Sequence, residues 1–427
     1  MDMKHMLLKG GHVIDPANDM DFVSDVLISG GKISALSPNI NLELNEMETV
    51  DLSGKFVVPG LIDCHVHLRE PGYEEKETIE TGSRSAAMGG FTTIICEPNT
   101  RPPIDTIAAV EDHARRVVDK GMVNIFTKAC ITNGSRGETL TDMEKLSSHS
   151  SLVAFSDDGN PVLREEVMER SLQQAAANDK PVSPHCEDSA FLSVKDVPKE
   201  VLGFIPRNIF ENESNFVKRD IKCVEGTGCH LHFSHMSLKE SLDYIAPQKG
   251  QGTITCEATP HHLLLDKNYR DVNGALTVVN PPLRSYEDVQ AMKRGLSDGV
   301  VDVIASDHAP HTLADKNLGA PGIIGLETTL GVVITELVRP NIISLRDAVM
   351  KMSTNPARIF KIPGGSLLPG MDANVTIIDM EKEWVVNANA FESKSRNCPF
   401  DGWKLKGKAV MTIVAGEIVM RDGKIVI

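Results

Sequence analysis

Short runs rich in apolar and β-branched residues recur along the chain. They lie at Val57 to Asp63, Phe91 to Cys96, Val123 to Ile131, Leu152 to Ser156, Pro181 to His185, Leu231 to His235, Thr253 to Cys256 and Val301 to Ser306. Segments with helical spacing separate them, among them Ile104 to Lys120, Glu165 to Asn178, Ser237 to Ile245 and Tyr286 to Leu296. Eight β-type runs alternating with helical segments predict repeated βαβ units. An open doubly wound sheet usually carries a glycine-rich phosphate turn after its first strand, but here the first run leads into Asp63-Cys64-His65-Val66-His67. The pattern therefore favours an α/β fold of the (β/α)8 TIM-barrel type, spanning residues 57–366.

The two ends of the chain carry a different pattern. Residues 1–56 and 367–427 consist of short β-type runs broken by glycine turns, such as Val26 to Ile33 and Met411 to Val419, and both read as hairpins. A few hairpins at one terminus bury little alone, so both segments are expected to pair into one small β-sandwich domain beside the barrel.

Composition narrows the function classes. No segment of the 427 residues approaches the roughly 18 to 20 consecutive apolar residues of a membrane span, and Met1 to Asp15 lacks the apolar core of a secretion signal. The net charge of -15 argues against a nucleic-acid or anionic-membrane surface. The eight cysteines (Cys64, Cys96, Cys130, Cys186, Cys223, Cys229, Cys256 and Cys398) form no CxxC pair and read as reduced thiols, so a cytoplasmic location is expected.

Candidate chemistry sits where the β-type runs end. His65 and His67 are two apart, and a strand's period of two turns both imidazoles to one side, ready to share a metal. An isolated HxH is more often an exposed polar strand end. Here it has company: Asp157-Asp158 follows the fourth run, and His185, His235 and Asp307 end or follow the fifth, sixth and eighth. A barrel gathers all these ends on one face. Five or six nitrogen and oxygen ligands exceed the needs of one tetrahedral zinc and point to two metals sharing a carboxylate; zinc suits the ligand types, as do manganese and cobalt. Asp157 and Asp158 are adjacent and cannot both face inward on a regular strand, and His230 and His232 compete with His235. His5, His12, His113 and His149 read as surface or core residues.

The stretch Pro59-Gly60-Leu61-Ile62-Asp63-Cys64-His65-Val66-His67-Leu68-Arg69-Glu70-Pro71-Gly72 resembles the metal-binding start of the cyclic amidohydrolases. Ala305-Ser306-Asp307-His308-Ala309-Pro310-His311-Thr312 resembles the dihydroorotase motif near their end. The likeness runs on through Glu97-Pro98-Asn99-Thr100, Phe155-Ser156-Asp157-Asp158-Gly159, His185-Cys186-Glu187-Asp188, Ser234-His235, Pro260-His261-His262 and Asn280-Pro281-Pro282-Leu283-Arg284. It covers essentially the whole chain and implies a bacterial-type (class I) dihydroorotase, which interconverts dihydroorotate and N-carbamoyl-L-aspartate in pyrimidine biosynthesis. By this resemblance His65, His67 and Asp307 hold one zinc ion, His185 and His235 a second, and Asp158 bridges them. Arg69, Asn99 and His311 hold the substrate carboxylate, Asn280 and the backbone of Pro321 and Gly322 hold the ring, and His67 also faces substrate. Asp307 acts as general base and acid. A homodimer, and aspartate transcarbamoylase as a partner, are further implications.

Substrate charge is consistent with this, since a carboxylate favours a guanidinium fork with amide or imidazole donors beside it. Hydantoinases and allantoinases resemble the chain too, but they bridge their metals with a carboxylated lysine after strand four, where Asp157 and Asp158 stand here. A non-catalytic scaffold of aspartate transcarbamoylase is the alternative of another class, although no expected ligand is missing. Two departures concern detail: Glu97 stands where the family often has methionine, and Thr312 to Ile324, read as a mobile loop over the substrate, is shorter than usual.

Overall fold

A computed structural model describes residues 5–42, 47–187, 213–250, 252–269 and 277–426; Met1 to Lys4 and Asp188 of the motif above lie outside them. The described strands begin with β1 (His5–Asp15), β2 (Met20–Ser29), β3 (Lys32–Ser37), β4 (Met47–Asp51) and β5 (Phe56–Pro59). Seven follow in the middle: β6 (Leu61–Val66), β7 (Phe91–Cys96), β8 (Asn124–Ala129), β9 (Leu152–Phe155), β10 (Leu231–Phe233), β11 (Ile254–Ala258) and β12 (Val303–Ile304). The last are β13 (Val375–Val385), β14 (Lys404–Val414), β15 (Glu417–Arg421) and β16 (Lys424–Ile425).

Strands from both chain ends form one nine-stranded sheet, ordered β16-β15-β14-β13-β5-β1-β2-β3, with β4 also paired to β1. The ends meet at β5, which runs parallel to β1 through His12–Phe56 and Val13–Val57 and antiparallel to β13 from Val375–Pro59 to Ile378–Phe56. Met6, Leu8, Val26 and Ile28 from the front of the chain share one buried apolar cluster with Val375, Ile377, Met411 and Ile413 from its end. The two ends of the chain therefore share one sheet and one apolar core.

The middle strands run parallel in two arcs, β6-β7-β8-β9 and β10-β11-β12. Val182 bridges Phe155 and Leu231, and His308 bridges Val66, so single contacts rather than continuous ladders join the arcs. The run expected at Pro181 to His185 contributes only the Val182 contact, because Pro181 and Pro184 have no N–H to give a ladder. The run expected at Val301 to Ser306 shrinks to β12. Inside lie Ile62, Cys64, Ile95, Val153, Ala154, Val303 and Ala305, packed on Ile359 and Phe360 from the chain beyond.

Helices follow the strands where spacing predicts them, with ends set by caps. The helix expected from Ile104 starts at Ile107 because Thr106 accepts from the Ala109 N–H, and Tyr286–Ser297 begins with a Ser285–Asp288 capping box. Glu213–Val224, a helix the run pattern missed, buries Val217, Ile221 and Val224 at helical spacing. The segment expected as a mobile loop holds a short helix, Leu313–Asn317, and the buried Lys316 ammonium ties it down by donating to the carbonyls of Val278, Ala320 and Gly322 at 2.8 to 2.9 Å. Among the described residues no helix is long and apolar enough to cross a membrane.

Gly60 joins the sheet to β6, and through it to the histidines at the β6 end. A Cβ at this position would stand 2.0 Å from Thr92 Oγ1 and 2.8 Å from Thr92 Cβ, both on a buried strand. Gly60→Ala is expected to cost about 1–3 kcal/mol by overpacking, read as a lower urea midpoint with an unchanged slope.

Candidate functional site

The C-terminal ends of the parallel strands bring the polar residues together. His65 lies near the end of β6 and His67 just beyond it, Glu97 follows β7, Asp158 follows β9, His235 follows β10 and Asp307 follows β12. His185 arrives from the irregular segment around Val182. Arg69, His235 and Asp307 adopt left-handed backbone, with φ of 62°, 36° and 48°. Non-glycine residues avoid this region unless the surroundings impose it, and such strain concentrates at functional sites.

Asp158 sits at the centre. Its Oδ1 is 3.4 Å from His65 Nε2, from His185 Nδ1 and from His235 Nε2, and its Oδ2 is 3.6 Å from His67 Nε2. Asp307 Oδ1 lies 3.2 Å from His67 Nε2 and 3.6 Å from His65 Nε2, and His185 Nδ1 faces His235 Nε2 at 2.8 Å. Asp157 takes no part, because its carboxylate accepts from the Thr132 N–H and hydroxyl. His232 is bound by Thr255 and Glu257, and His230 by Thr255. Neither joins the cluster. His113 is buried apart from it, in the helix Ile107–Lys120.

The donor set fits divalent cations. Ligand atoms of His65, His67 and Asp307 lie within 4.8 Å of one another, as do those of His65, Asp158 and His235. His65 Nδ1 pairs with the Glu257 carboxylate at 2.6 Å and His67 Nδ1 with Asn99 Oδ1 at 3.0 Å. Both partners only accept, so each Nδ1 carries a proton, and each Nε2 is the ring nitrogen that faces the cluster. His65 Nε2 and His235 Nδ1 are buried without a hydrogen-bond partner. Burial alone would strip a proton from His65, but the carboxylates of Glu97, Glu257, Asp158 and Asp307 outweigh it and hold its pKa well above the usual value. Burial opposes ionisation of Asp158 and Asp307 too, but the histidines beside them hold both well below the carboxylate range. A place where the local field recruits a proton onto an imidazole is a place for a cation.

Beside the cluster opens a cavity of about 200 Å³ lined by His67, Arg69, Asn99, Asp158, His185, His235, Asn280, Asp307, His311, Pro321 and Gly322. Arg69 Nε donates to the Pro310 carbonyl at 3.1 Å, and its Nη2 stands 3.3 Å from His311 Nε2. Burial, then the cations of Arg69, Lys76 and Lys316, push the His311 pKa down to about 3, so this imidazole is neutral at pH 7. With Nε2 accepting from Arg69, its proton sits on Nδ1, which is buried and has no partner. Asn99 Nδ2 donates to Asp158 Oδ2 at 3.1 Å, tying the cavity wall to the cluster. Asn280 Nδ2 lies 3.1 Å from His185 Nε2 while its Oδ1 has no partner. Exchanging the amide's oxygen and nitrogen lets Asn280 accept from His185 Nε2–H, which leaves Nδ1 as a lone pair.

Strand-end reasoning missed Glu257 and Lys128. Glu257 lies in β11 and binds His65, His232, the Cys64 thiol and the backbone N–H of His235. Lys128 lies in β8, fully buried. Of the motif residues without an expected role, His308 pairs with Glu77 at 3.2 Å and His262 with the Pro281 carbonyl at 3.0 Å, while neither ring nitrogen of the buried His261 has a hydrogen-bond partner.

Residues 56–419 match the amidohydrolase family. Over 98% of its length the chain is 45% identical to a dihydroorotase of Pelotomaculum thermopropionicum and 41% identical to one of Syntrophus aciditrophicus, covering 99% of each. An L-hydantoinase (dihydropyrimidinase) from Arthrobacter aurescens superposes with a TM-score of 0.89 at 25% identity, over 99% of this chain and 97% of that one. With matches of this length around the constellation just described, the chain belongs to the amidohydrolase family, among its dihydroorotases.

Proposed function

We propose that the chain catalyses the reversible hydrolysis of dihydroorotate to N-carbamoyl-L-aspartate, and that His65, His67 and Asp307 would hold one zinc ion, His185 and His235 a second, with Asp158 shared between them. The observation that carries this is the joining of an anion-recognising wall, Arg69 with Asn99 and His311, to a carboxylate–imidazole cluster in one small cavity. Bound there, such ions supply Lewis acidity, polarising an amide carbonyl and making water a stronger acid at neutral pH.

The chain's own residues do the rest. Arg69 offers a charged fork to the substrate carboxylate, and the neutral His311 offers an uncommitted N–H. Asn280 and the backbone at Pro321 and Gly322 line the side where the ring would lie. Asp307, anionic at neutral pH, accepts the proton of the attacking water and delivers it to the ring nitrogen as the C–N bond breaks. In the reverse direction the same carboxylate takes the proton from the carbamoyl nitrogen as the ring closes and returns it to the departing water.

A cytoplasmic homodimer, and association with aspartate transcarbamoylase, complete the reading. All eight thiols are buried and unpaired, which suits a reducing compartment. Light scattering on the purified chain, alone and mixed with the transcarbamoylase, tests both associations.

Exhaustive chelation is expected to abolish dihydroorotate hydrolysis, and zinc to restore it; turnover that survives complete metal removal would end this account. Asp307→Asn is expected to keep most of its bound metal and lose about 10²- to 10⁴-fold in kcat. Metal content measured beside steady-state rates separates proton transfer from metal loss. Arg69→Met is expected to weaken dihydroorotate binding by about 1.5–3 kcal/mol, roughly 10- to 150-fold in KM. Side-by-side assays with hydantoin and allantoin complete the test: cleavage of those two and not of dihydroorotate would transfer the chain to the neighbouring specificity.

A further inference from the structure

Next to His65 lies a pair of charged side chains that none of the roles above uses. Glu97 follows β7 and Lys128 lies in β8, and both side chains are fully buried. The Lys128 ammonium donates to Glu97 Oε1 and, at 3.1 Å, to Ser183 Oγ, and it stands 5.5 Å from the centre of the Phe360 ring. Glu97 Oε1 is also 3.8 Å from His65 Nε2, the ring nitrogen that faces the cluster and makes no hydrogen bond. The second oxygen, Glu97 Oε2, is buried and likewise has no partner.

A structural ion pair would satisfy both carboxylate oxygens, since a buried anion with an open lone pair loses its hydration without compensation. Glu257 shows what such a residue looks like on the other face of His65: one oxygen meets His65 Nδ1, and the other meets His232 and the Cys64 thiol. Glu97 does not follow that pattern. It holds one oxygen on an ammonium and leaves the other uncommitted, at a strand end on the side of the barrel where the cluster forms. A cation at His65 Nε2 would have Glu97 Oε1, the oxygen that Lys128 also holds, among its neighbours.

We infer that Glu97 is a further carboxylate ligand of the metal centre, reaching the cation held by His65, and that Lys128 fixes its orientation and offsets its charge. This rests on the metal reading proposed above and adds to it a ligand from the second barrel strand. Hard divalent ions accept such an oxygen as a fifth or sixth ligand more readily than a strictly tetrahedral ion does. Lys128 is a positioning residue here: it touches the carboxylate and acts through it.

Cobalt(II) loaded into the metal-free protein tests this without turnover. Visible d–d absorption strengthens as coordination number falls, and competition with a chromogenic chelator gives the affinity. Glu97→Gln, which keeps an oxygen for Lys128, is expected to weaken the tighter cobalt site at least 10-fold and to intensify its d–d bands. Circular dichroism of the metal-free variant should stay close to wild type, while its melting temperature falls, because Lys128 keeps an oxygen but loses its buried counter-charge. If Glu97→Gln does not fold, the double variant Glu97→Met with Lys128→Met replaces the pair by apolar side chains and is read in the same way. Wild-type affinity and spectrum in whichever variant folds would overturn the inference and leave the metal reading intact. A wild-type protein that binds no cobalt would overturn both.

Discussion

Negative charge buried around one imidazole is the constraint on which the rest of this molecule depends. Glu97, Glu257, Asp158 and Asp307 all bear on His65, and all are nearly or fully removed from water. Carboxylates so placed are unfavourable unless cations or strong donors face them. Much of the local architecture answers that requirement. Strand ends deliver imidazoles to the centre, Asn99 and Glu257 hold two of those rings in orientation, and the backbone at His235 and Asp307 is pressed into a conformation that side chains normally avoid.

The lining of the same cavity also carries the other sign. Arg69 is held by the Pro310 carbonyl and lies beside a neutral His311, so its guanidinium is directed rather than free. In the proposed reading, a substrate with a carboxylate at one end and a cyclic amide at the other would meet the Arg69 guanidinium with its one end and the carboxylate–imidazole cluster with its other, which would set its orientation before any bond changes. On that reading, discrimination between rings with and without that carboxylate would follow from the wall, and the reaction class from the cluster. The two parts are mechanically linked through Asn99, which touches His67 and Asp158 while lining the cavity.

Much of this was legible in the chain because strand ends and their polar residues are local features. The HxH pair, the aspartate pair and the late Asp307 announce themselves by position after an apolar run. What local pattern does not carry is the path of the backbone between elements. Which of Asp157 and Asp158 turns inward depends on Thr132, a residue 25 positions away that captures the first carboxylate. His185 belongs to a segment whose prolines deny it a ladder, so its periodicity was a poor guide even though its position was a good one. Glu257 lies within reach of the same rule, near the C-terminal end of β11, but the apolar run in the sequence ends at Cys256, one residue short of it. Lys128 was hidden because a lysine in a strand reads as exposed until a buried partner is found for it. The stretch after Asp307 looks loose in composition, yet one ammonium and three carbonyls hold it.

The nine-stranded sheet also bears on the order in which the polypeptide can complete itself during synthesis. β5 pairs with β13, more than three hundred residues later, and leads straight through Gly60 into the strand that carries His65. While translation proceeds, one edge of β5 waits for a partner that the ribosome makes near the end of the chain. The front hairpins therefore stay unclosed along β5 until the tail emerges, and premature termination just before Val375 would leave a nearly full-length product with an open, adhesive sheet edge at β5.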